Sequence, residues 1–347
     1  MKHGAATVAQ LPEFDEIIDV RSPAEFLEDR IPGAINCPAL DNAQRAEIGT
    51  LYVQVSAFVA RKRGAALVAR NIADHLLERF QDKPREWRPL IYCWRGGQRS
   101  GAFVTIFRQI GWDACQLQGG YKSWRRHVVT ELQTLPGQFE YRVVCGATGS
   151  GKTRVLHALA AEGAQVLDLE ALAAHKGSLL GGLPDRRQPG QKLFETDLFR
   201  TLGGFDPARP VYVEAESRRI GRIEVPTALI SRLRASPCVN IIASMPARLD
   251  YLLEDYAYFL ADPASLLDKF EPLTPLLGKE IIKRWTGLVA NGEWRQLVQE
   301  LLERHYDPLY HRSQSENFST YGAAPDFRVE DLAPTSLRGL ACDILAA

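Results

Sequence analysis

The sequence predicts an α/β protein with two successive parallel-sheet domains, and three observations indicate this class. Short apolar runs alternate with longer segments in which apolar residues recur at helical spacing. Two of the runs lead through a glycine-rich loop directly into a helical pattern. The stretch "TLPGQFE" at residues 134–140 is rich in turn residues and separates the halves. We therefore expect one domain at residues 12–134 and a second at residues 138–347, ending in a helical part.

The first half alternates strand and helix patterns. Apolar runs predict four strands, at residues 17–20, 35–36, 90–93 and 114–117. Helical spacing predicts helices at residues 52–80 and 100–110. Ser22 followed by Pro23 is typical of a helix N-cap and first helical position. This alternation favours a parallel sheet.

The second half repeats the alternation with different loops. Strands are predicted at residues 141–145, 165–168, 210–217 and 238–245. A helix is predicted at residues 153–162, and residues 246–312 are expected to be mainly helical. The two halves are not repeats, because their loops carry different chemistry.

Composition excludes several classes of protein. The chain has 347 residues, is 46% hydrophobic and has no net charge, so any anion site must be local. The six cysteines form no CxxC pair, which argues against a zinc site and a disulfide framework. No run approaches the roughly 18 apolar residues that span a bilayer, and the first residues lack an apolar signal segment. We expect a cytoplasmic protein with reduced thiols and no membrane partner.

The stretch "LIYCWRGGQRSG" at residues 90–101 has the pattern of an anion-binding loop with a nucleophile. Backbone N–H groups before a helix bind anions and stabilise a thiolate, so Cys93 is expected to be reactive. Arg99 is expected to hold an oxyanion, since its guanidinium matches two oxygens at once. The other loop candidates are Arg95, Gly96, Gly97, Gln98 and Ser100.

Three stretches, in this order, resemble the rhodanese family. They are "DVRSPAEFLEDRIPGAIN" at residues 19–36, "YCWRGGQRS" at residues 92–100 and "GGYKSW" at residues 119–124. The resemblance covers about residues 12–132 and implies a rhodanese-like parallel-sheet domain. It also implies that Cys93 is the catalytic residue and accepts sulfur or selenium as a persulfide or selenopersulfide.

The spacing of the cysteine loop departs from the usual rhodanese pattern. Five residues separate Cys93 from Arg99, one more than in typical sulfur-transferring members. The longer loop is similar to that of cell-cycle dual-specificity phosphatases, which bind phosphate. From this loop alone, a phosphatase remains an open alternative.

The stretch "GATGSGKT" at residues 146–153 matches the phosphate-binding loop of P-loop NTPases, with a strand before it and a helix after it. The expected phosphate-binding residues are Gly146, Gly149, Gly151, Lys152 and Thr153. Thr153 could also bind a magnesium ion, and no other metal is expected. The strand "VYVEAES" offers Glu214 or Glu216 as the acidic partner. ATP, GTP or another diphosphate would fit, although a GTPase is disfavoured because Asn-Lys-x-Asp is absent.

Considered whole, the chain resembles the bacterial tRNA 2-selenouridine synthase family. The stretches that carry the resemblance include "YCWRGGQRSG", "VVCGATGSGKTRVLHAL", "QPGQKLFE", "VYVEAESRRIG" and "HYDPLYHRS". The resemblance implies a transferase that geranylates 2-thiouridine at the tRNA wobble position with geranyl diphosphate. It then implies replacement of the geranylthio group by selenium from selenophosphate, with no tightly bound cofactor. The partners would be the thiolated tRNA and a supply of selenophosphate.

A tRNA substrate predicts local positive charge. The basic candidates for RNA contact are Lys122, Arg125, Arg126, Arg218 and Arg219. Trp94, Tyr121 or Trp124 are candidates for stacking on bases. His305 and Asp307 are weaker candidates for positioning the RNA.

Two other classes of function stay open at this point. One is a phosphatase-like or rhodanese-like sulfurtransferase fused to an ATP-dependent kinase. The other is a non-catalytic tRNA-binding module, which is disfavoured because both loops retain their reactive residues. The residues do not distinguish sulfur from selenium.

Overall fold

The structure is a computed structural model that describes residues 4–178 and 180–347. Two units are distinguished within it. The first comprises the chain up to Glu131 together with Pro189–Arg200, and the second comprises Leu132–Gln188 with Thr201–Ala347. The expected limits of residues 12–134 and 138–347 include no such exchanged segment, and they stay predictions.

The first unit contains a five-stranded sheet in which every pair of neighbours is parallel. Its strands are β1 (Ala5–Ala6), β2 (Glu16–Asp19), β3 (Ile35–Asn36), β4 (Pro89–Tyr92) and β5 (Cys115–Leu117). They lie in the order β1-β5-β4-β2-β3. The four predicted strands are confirmed to within one residue at each end. The prediction missed β1, because a two-residue strand is too short to show a pattern.

The described part of the first unit has a 3-10 helix at Val8–Glu13 and five α-helices before the second unit begins. They are α1 (Pro23–Glu28), α2 (Asn42–Gln54), α3 (Ala57–Arg79), α4 (Gln98–Ile110) and α5 (Gly120–Glu131). Ser22 and Glu25 form a capping box at the start of α1, as its N-cap pattern indicates. The helical character predicted at residues 52–80 is confirmed, but the segment is divided between the end of α2 and the whole of α3. The chain there forms two helices, because Ser56 accepts a hydrogen bond from the Val59 amide at 3.1 Å and starts α3.

Aromatic rings fill the core between this sheet and its helices. Phe103 and Phe107 of α4 are fully buried and lie with Phe80, Trp87 and Trp112 in one cluster. The ring centroids of Phe107 and Trp112 are 5.2 Å apart in an edge-to-face arrangement. This core fixes α4 beneath the loop that carries Cys93.

The second unit is built on another five-stranded parallel sheet. Its strands are β6 (Tyr141–Gly146), β7 (Gln165–Leu167), β8 (Val211–Glu214), β11 (Cys238–Ala243) and β12 (Asp326–Val329). Their order is β12-β11-β6-β8-β7, so β6 is central and the phosphate loop leaves its carboxyl end. A short antiparallel ribbon joins β9 (Arg219–Ile220) to β10 (Ile223–Glu224). The four strands predicted for this half are confirmed, although β8 ends at Glu214 and β11 at Ala243, before the predicted ends at residues 217 and 245; β9, β10 and β12 were not predicted.

Helices separate these strands along the chain and form the C-terminal part. The first four are α6 (Lys152–Ala161), α7 (Leu169–Ala173), α8 (Gln191–Gly203) and α9 (Thr227–Arg234), of which α8 lies mostly in the first unit. The later helices are α10 (Met245–Asp255), α11 (Ala257–Ala261), α12 (Pro263–Leu267), α13 (Thr274–Leu277), α14 (Lys279–Asn291), α15 (Trp294–Leu301), α16 (Asp307–Asn317) and α17 (Pro334–Ala346). The predicted α/β class and helical C-terminal part are confirmed. Among the described residues, the structure has no helix whose length and apolar character would allow it to span a membrane.

Candidate active sites

Cys93 lies immediately after β4, in the loop that leads into α4. The residue is 4% exposed. Its sulfur accepts hydrogen bonds from the Gly97 amide at 3.3 Å and from the Ser100 hydroxyl at 3.1 Å. Burial works to raise the pKa of Cys93, but the hydroxyl and the backbone N–H donors of the loop outweigh burial and lower it. The thiol is therefore prepared to react as a thiolate.

The N-terminus of α5 holds the outer side of this loop. The Tyr121 amide donates to the Cys93 carbonyl at 2.8 Å, and the Lys122 amide donates to the Trp94 carbonyl at 3.1 Å. A Cβ atom at Gly120 would lie 2.3 Å from the Cys93 carbonyl oxygen, so only glycine allows this approach. This contact explains why "GGYKSW" accompanies the cysteine loop.

A buried network connects the stretch at residues 19–36 to the N-terminus of α5, which contacts the cysteine loop. Arg21, 1% exposed, donates to Asp19 at 2.6 Å and to the Asp29 carbonyl at 2.6 Å. The Tyr121 hydroxyl donates to the Asp29 carboxylate at 2.7 Å, and the Arg21 guanidinium lies 4.0 Å from the centre of the Tyr121 ring. The stretch at residues 19–36 thus holds Tyr121, whose amide in turn holds the Cys93 carbonyl.

Arg99, expected to hold an oxyanion, is paired with Glu25 of α1. The Nη1–carboxylate distance is 2.9 Å, and both side chains are largely buried. Burial works to raise the pKa of Glu25, but Arg99 outweighs burial and lowers it. A bound oxyanion would have to share the guanidinium with this carboxylate. Sequence reasoning missed Glu25 as a site residue, although its place in a capping box is a local signal of a helix start.

The remaining candidates of the cysteine loop differ in their exposure. Arg95, Gly97 and Gln98 are exposed, Gly96 is half-buried and Ser100 is buried. Gly96 has a φ of +65°, and a Cβ atom there would lie 2.7 Å from the Leu117 carbonyl oxygen, so this position favours glycine. Of the candidates, Gly97 and Ser100 reach the sulfur of Cys93 through hydrogen bonds.

The phosphate loop joins β6 to α6, as its motif predicts. Lys152 is 9% exposed and lies 4.7 Å from the centre of the Tyr310 ring. Burial works to lower the pKa of Lys152, but Tyr310 and Glu214 outweigh burial and raise it, so the amine stays charged. The loop, with Gly149, Gly151, Lys152 and Thr153, lines a cavity of about 540 Å³, large enough for a diphosphate ester. Gly146 precedes the loop at the end of β6.

A buried arginine forms a hydrogen bond to the backbone of the phosphate loop. Arg248 of α10 donates to the Thr148 carbonyl at 2.8 Å. Its guanidinium also makes two bonds to Asp307, at 2.5 and 3.0 Å. Asp307 is therefore part of the loop's support. His305 is buried and lines the same cavity as the loop. A role of either residue in positioning tRNA stays a prediction.

Three glutamates meet beside Thr153. Carboxylate oxygens of Glu170, Glu214 and Glu216 all lie within 4.8 Å of one another. Burial, together with the neighbouring carboxylates, raises the pKa of Glu170 and of Glu216. The Thr153 hydroxyl donates to Glu170 at 3.5 Å. The sequence offers Glu214 and Glu216, whereas Glu170 joins them only through the fold, from the start of α7.

The glutamate cluster fits the magnesium ion that a phosphate loop implies. One oxygen of Glu214, Oε1, is buried and has no hydrogen-bond partner in the described part of the chain. Magnesium prefers oxygen ligands, and carboxylates beside a loop threonine supply them. The residues that would hold it are Thr153, Glu170, Glu214 and Glu216.

An apolar cavity adjoins the cavity of the phosphate loop. The two share Thr148, Ser178, Leu252, Tyr256 and Tyr306 in their walls. The apolar cavity has a volume of about 60 Å³. Its remaining lining is hydrocarbon or aromatic: Leu180, Leu253, Phe259, Leu260, Leu266, Trp294, Leu297, Val298, Leu301 and Leu302. No periodic pattern in the sequence points to this cavity, because its lining comes from several separate segments.

The basic candidates for RNA contact differ in how accessible they are. Lys122 and Arg126 are exposed, one turn apart on α5. Arg218 and Arg219 are exposed at the β9–β10 ribbon. Arg125 is instead paired with Glu195 and donates to the Lys192 carbonyl, which corrects its expected role.

The aromatic candidates for base stacking also divide. Tyr121 is 2% and Trp124 is 4% exposed, so neither offers a face to a base. Their side chains belong to the core, where Trp124 contacts Phe199 edge to face. Trp94, which follows Cys93 in the chain, is half-buried, and its stacking on a base stays a prediction.

Two family models match the chain, one on each half. Residues 5–127 match the rhodanese-like domain. Residues 139–274 match the model described as tRNA 2-selenouridine synthase AAA domain. Together they place the cysteine loop and the phosphate loop in two different families of domain.

Curated proteins are similar over most of the chain. A protein of Nitrosomonas europaea named tRNA 2-selenouridine synthase is 34% identical over 272 residues, which cover 77% of this chain and 70% of that protein. Proteins with the same name from Alcanivorax borkumensis and Cupriavidus pinatubonensis are 32% and 31% identical, and the alignments cover 85% of this chain and 88% and 87% of those proteins. With both loops present, the chain belongs to the tRNA 2-selenouridine synthase family.

Proposed function

We propose that this protein is a transferase that converts a wobble 2-thiouridine of tRNA to 2-selenouridine through an S-geranylated intermediate. The relatives' shared name supports the overall conversion. The activated Cys93 supports a step at selenophosphate, and the phosphate loop supports a step at a diphosphate ester. One loop therefore serves each step.

In the first step the sulfur of 2-thiouridine attacks the first carbon of geranyl diphosphate. The carbon–oxygen bond breaks, diphosphate leaves with the bonding electrons, and the base gives its N3 proton to water. The loop N–H groups and Lys152 stabilise the charge that builds up on the leaving diphosphate. Magnesium, when bound at the glutamate cluster, would supply further positive charge at that leaving group.

The observation that carries the assignment of a prenyl ester is the apolar cavity next to the phosphate loop. A nucleotide offers a polar sugar and base, whereas a geranyl chain offers only hydrocarbon to such walls. A ten-carbon chain needs more room than about 60 Å³. Its far end would therefore lie in the apolar cavity and its near end in the larger one.

Cys93 acts in the second step. Its thiolate attacks the phosphorus of selenophosphate, so a sulfur–phosphorus bond forms while the phosphorus–selenium bond breaks. Selenium leaves as hydrogenselenide with both electrons and adds to C2 of the geranylated base. The geranylthio group then departs as a thiolate and takes a proton from water.

Water finally hydrolyses the phosphorylated cysteine and releases phosphate. This route leaves selenium and phosphorus at their original oxidation levels. A selenopersulfide on Cys93, which the rhodanese resemblance implies, would require selenium to be oxidised. The longer loop of this chain also suits phosphate, which its N–H donors and Arg99 can surround.

The test of this proposal is nucleoside mass spectrometry on 2-thiouridine tRNA incubated with the protein, geranyl diphosphate and selenophosphate. We expect S-geranyl-2-thiouridine to appear first and 2-selenouridine to follow. If neither nucleoside forms, the proposal fails. Small phosphorylated or thiol products formed from ATP without tRNA would then favour the sulfurtransferase–kinase alternative.

Filling the apolar cavity should weaken binding of the prenyl chain alone. Val298→Trp adds bulk to the cavity wall, and we expect the KM for geranyl diphosphate to rise by about tenfold or more, since each methylene group excluded from an apolar pocket costs about 1–3 kcal/mol of binding. Inhibition by inorganic diphosphate should not change, because the phosphate loop is untouched. Steady-state geranylation kinetics would measure both effects.

Gln299→Trp provides a matched control on the exposed side of the same helix, α15. It should leave both constants as in the parent protein. An unchanged KM for Val298→Trp would remove the cavity from the proposal. An equal loss of affinity for inorganic diphosphate would mean that the substitution distorts the loop.

Charge reversal on α5 should weaken tRNA binding in a salt-dependent manner. The double variant Lys122→Glu, Arg126→Glu removes two exposed cations. The slope of log affinity against log salt should become shallower by roughly 1 to 2 units, because each phosphate contact contributes about 0.7 to 0.9. Filter binding over a range of salt concentrations measures this slope.

The matched control is the double variant Lys62→Glu, Arg70→Glu, which reverses two exposed cations on α3. It has the same change of net charge, so it corrects for the overall field of the protein. If both double variants flatten the slope equally, α5 is not the RNA-binding surface.

A further inference from the structure

Gln116 is the residue of β5 whose side chain reaches the cysteine loop. Its backbone is fixed in the sheet, where it pairs with Ile91 of β4 and Ala5 of β1. Its amide nitrogen lies 2.9 Å from the Gly97 carbonyl oxygen and 2.7 Å from the Ser100 hydroxyl. Gln116 lies outside the three stretches that carry the rhodanese resemblance.

The orientation of the Gln116 amide follows from its partners. The Gly97 carbonyl can only accept a hydrogen bond, so the atom of Gln116 that faces it must be the nitrogen. An NH₂ group has two hydrogens. One goes to Gly97, and the other goes to the oxygen of Ser100.

The direction of the Ser100 hydroxyl is then determined. Its oxygen accepts from Gln116, and its single hydrogen has two acceptors within reach in the described part of the chain. These are the Cys93 sulfur at 3.1 Å and the Gly97 carbonyl at 3.4 Å. That carbonyl already accepts from Gln116 and from the Gly101 amide at 3.0 Å, so both its lone pairs are used. The hydrogen therefore points to sulfur.

We propose that Gln116 is a positioning residue that commits the Ser100 hydroxyl to donate its hydrogen to the sulfur of Cys93. A hydrogen bond to a charged acceptor is among the stronger kinds, so losing its direction weakens the stabilisation of the thiolate. Gln116 touches neither substrate nor the reacting atoms, and it acts only through Ser100. The proposal extends the role given to Cys93 in the proposed function.

The test measures the reactivity of Cys93 without tRNA or selenophosphate, so its failure is separate from any failure of the proposed function. Full-length protein is alkylated with iodoacetamide across a pH series, and mass spectrometry of the Cys93 peptide gives the rate. This readout excludes the exposed Cys342 and half-buried Cys115. The charged groups around the loop, Arg95, Arg99 and Glu25, stay the same in every variant.

Gln116→Leu should raise the pH of half-maximal alkylation by about one unit, and Ser100→Ala should raise it by about one to two. The double variant should match Ser100→Ala, because Gln116 has no effect once the hydroxyl is gone. Gln118→Leu, on an exposed neighbour, should cause no shift. Circular dichroism checks that each variant is folded.

Two results would overturn the proposal. One is an unchanged midpoint in folded Gln116→Leu protein. The other is a double variant whose shift is the sum of the single shifts, since a merely structural role would add to the loss of the hydroxyl. If Gln116→Leu does not fold, Gln116→Met replaces it, because its unbranched side chain has a similar length and no N–H donor, and the same shift is expected.

Discussion

Replacing Cys93 with alanine should stop the reaction at S-geranyl-2-thiouridine. We expect 2-selenouridine formation to fall by roughly four orders of magnitude, as when an enzyme loses its nucleophile. Geranylation should continue at the parent rate, because the phosphate loop and its cavity are unaltered. Mass spectrometry of nucleosides over a time course measures both products at once.

The control for this variant is Cys115→Ala, which removes a thiol from the neighbouring strand β5 without touching the loop. It should form both products as the parent protein does. Formation of 2-selenouridine by Cys93→Ala protein at the parent rate would show that the thiol takes no part. Loss of geranylation as well would show that the two steps are not divided between the loops.

Replacing Lys152 with alanine should have the opposite result. Geranylation should fall by about 100- to 1,000-fold, since a group that stabilises charge on the leaving diphosphate is lost. When tRNA that already carries the geranyl group is supplied with selenophosphate, 2-selenouridine should form at the parent rate. Removing this cation also leaves the glutamate cluster without its positive neighbour, so diphosphate binding should weaken too.

Lys279→Ala is the control, since it removes an exposed lysine at the start of α14. Its rates for both steps should equal those of the parent. Unchanged geranylation in folded Lys152→Ala protein would contradict the assignment of geranyl diphosphate to the phosphate loop. Loss of the second step with the pre-geranylated tRNA would instead assign the loop a part in selenium transfer.

The cysteine and phosphate loops could be located from sequence because each is a contiguous strand, glycine-rich turn and helix. Residues 90–101 contain a strand, a turn and Cys93 in succession, and residues 146–153 contain a turn and Lys152 directly after a strand. Their geometry in the structure follows that order, from β4 into α4 and from β6 into α6. Local patterns also indicated the α1 cap, where all the partners lie within one turn.

The carboxylate partners of Arg99, Arg125 and Arg248 could not be found in the same way. Glu25, which pairs with Arg99, is 74 residues away along the chain, and Asp307, which pairs with Arg248, is 59 residues away. Arg125 looked free in a basic stretch, yet α8 brings Glu195 against it. Spacing within one segment carries no information about which other segment packs on it.

The local order of residues thus identifies both loops together with Cys93 and Lys152, because these groups are neighbours in the chain. The glutamate cluster, the apolar cavity and the hydrogen bonds of Gln116 arise where separate strands and helices meet. Gln116 and Ser100 are 16 residues apart, on a strand and a helix that come together only when α4 packs on the sheet. Packing sets such contacts through burial and hydrogen-bond satisfaction, and neither has a period along the chain.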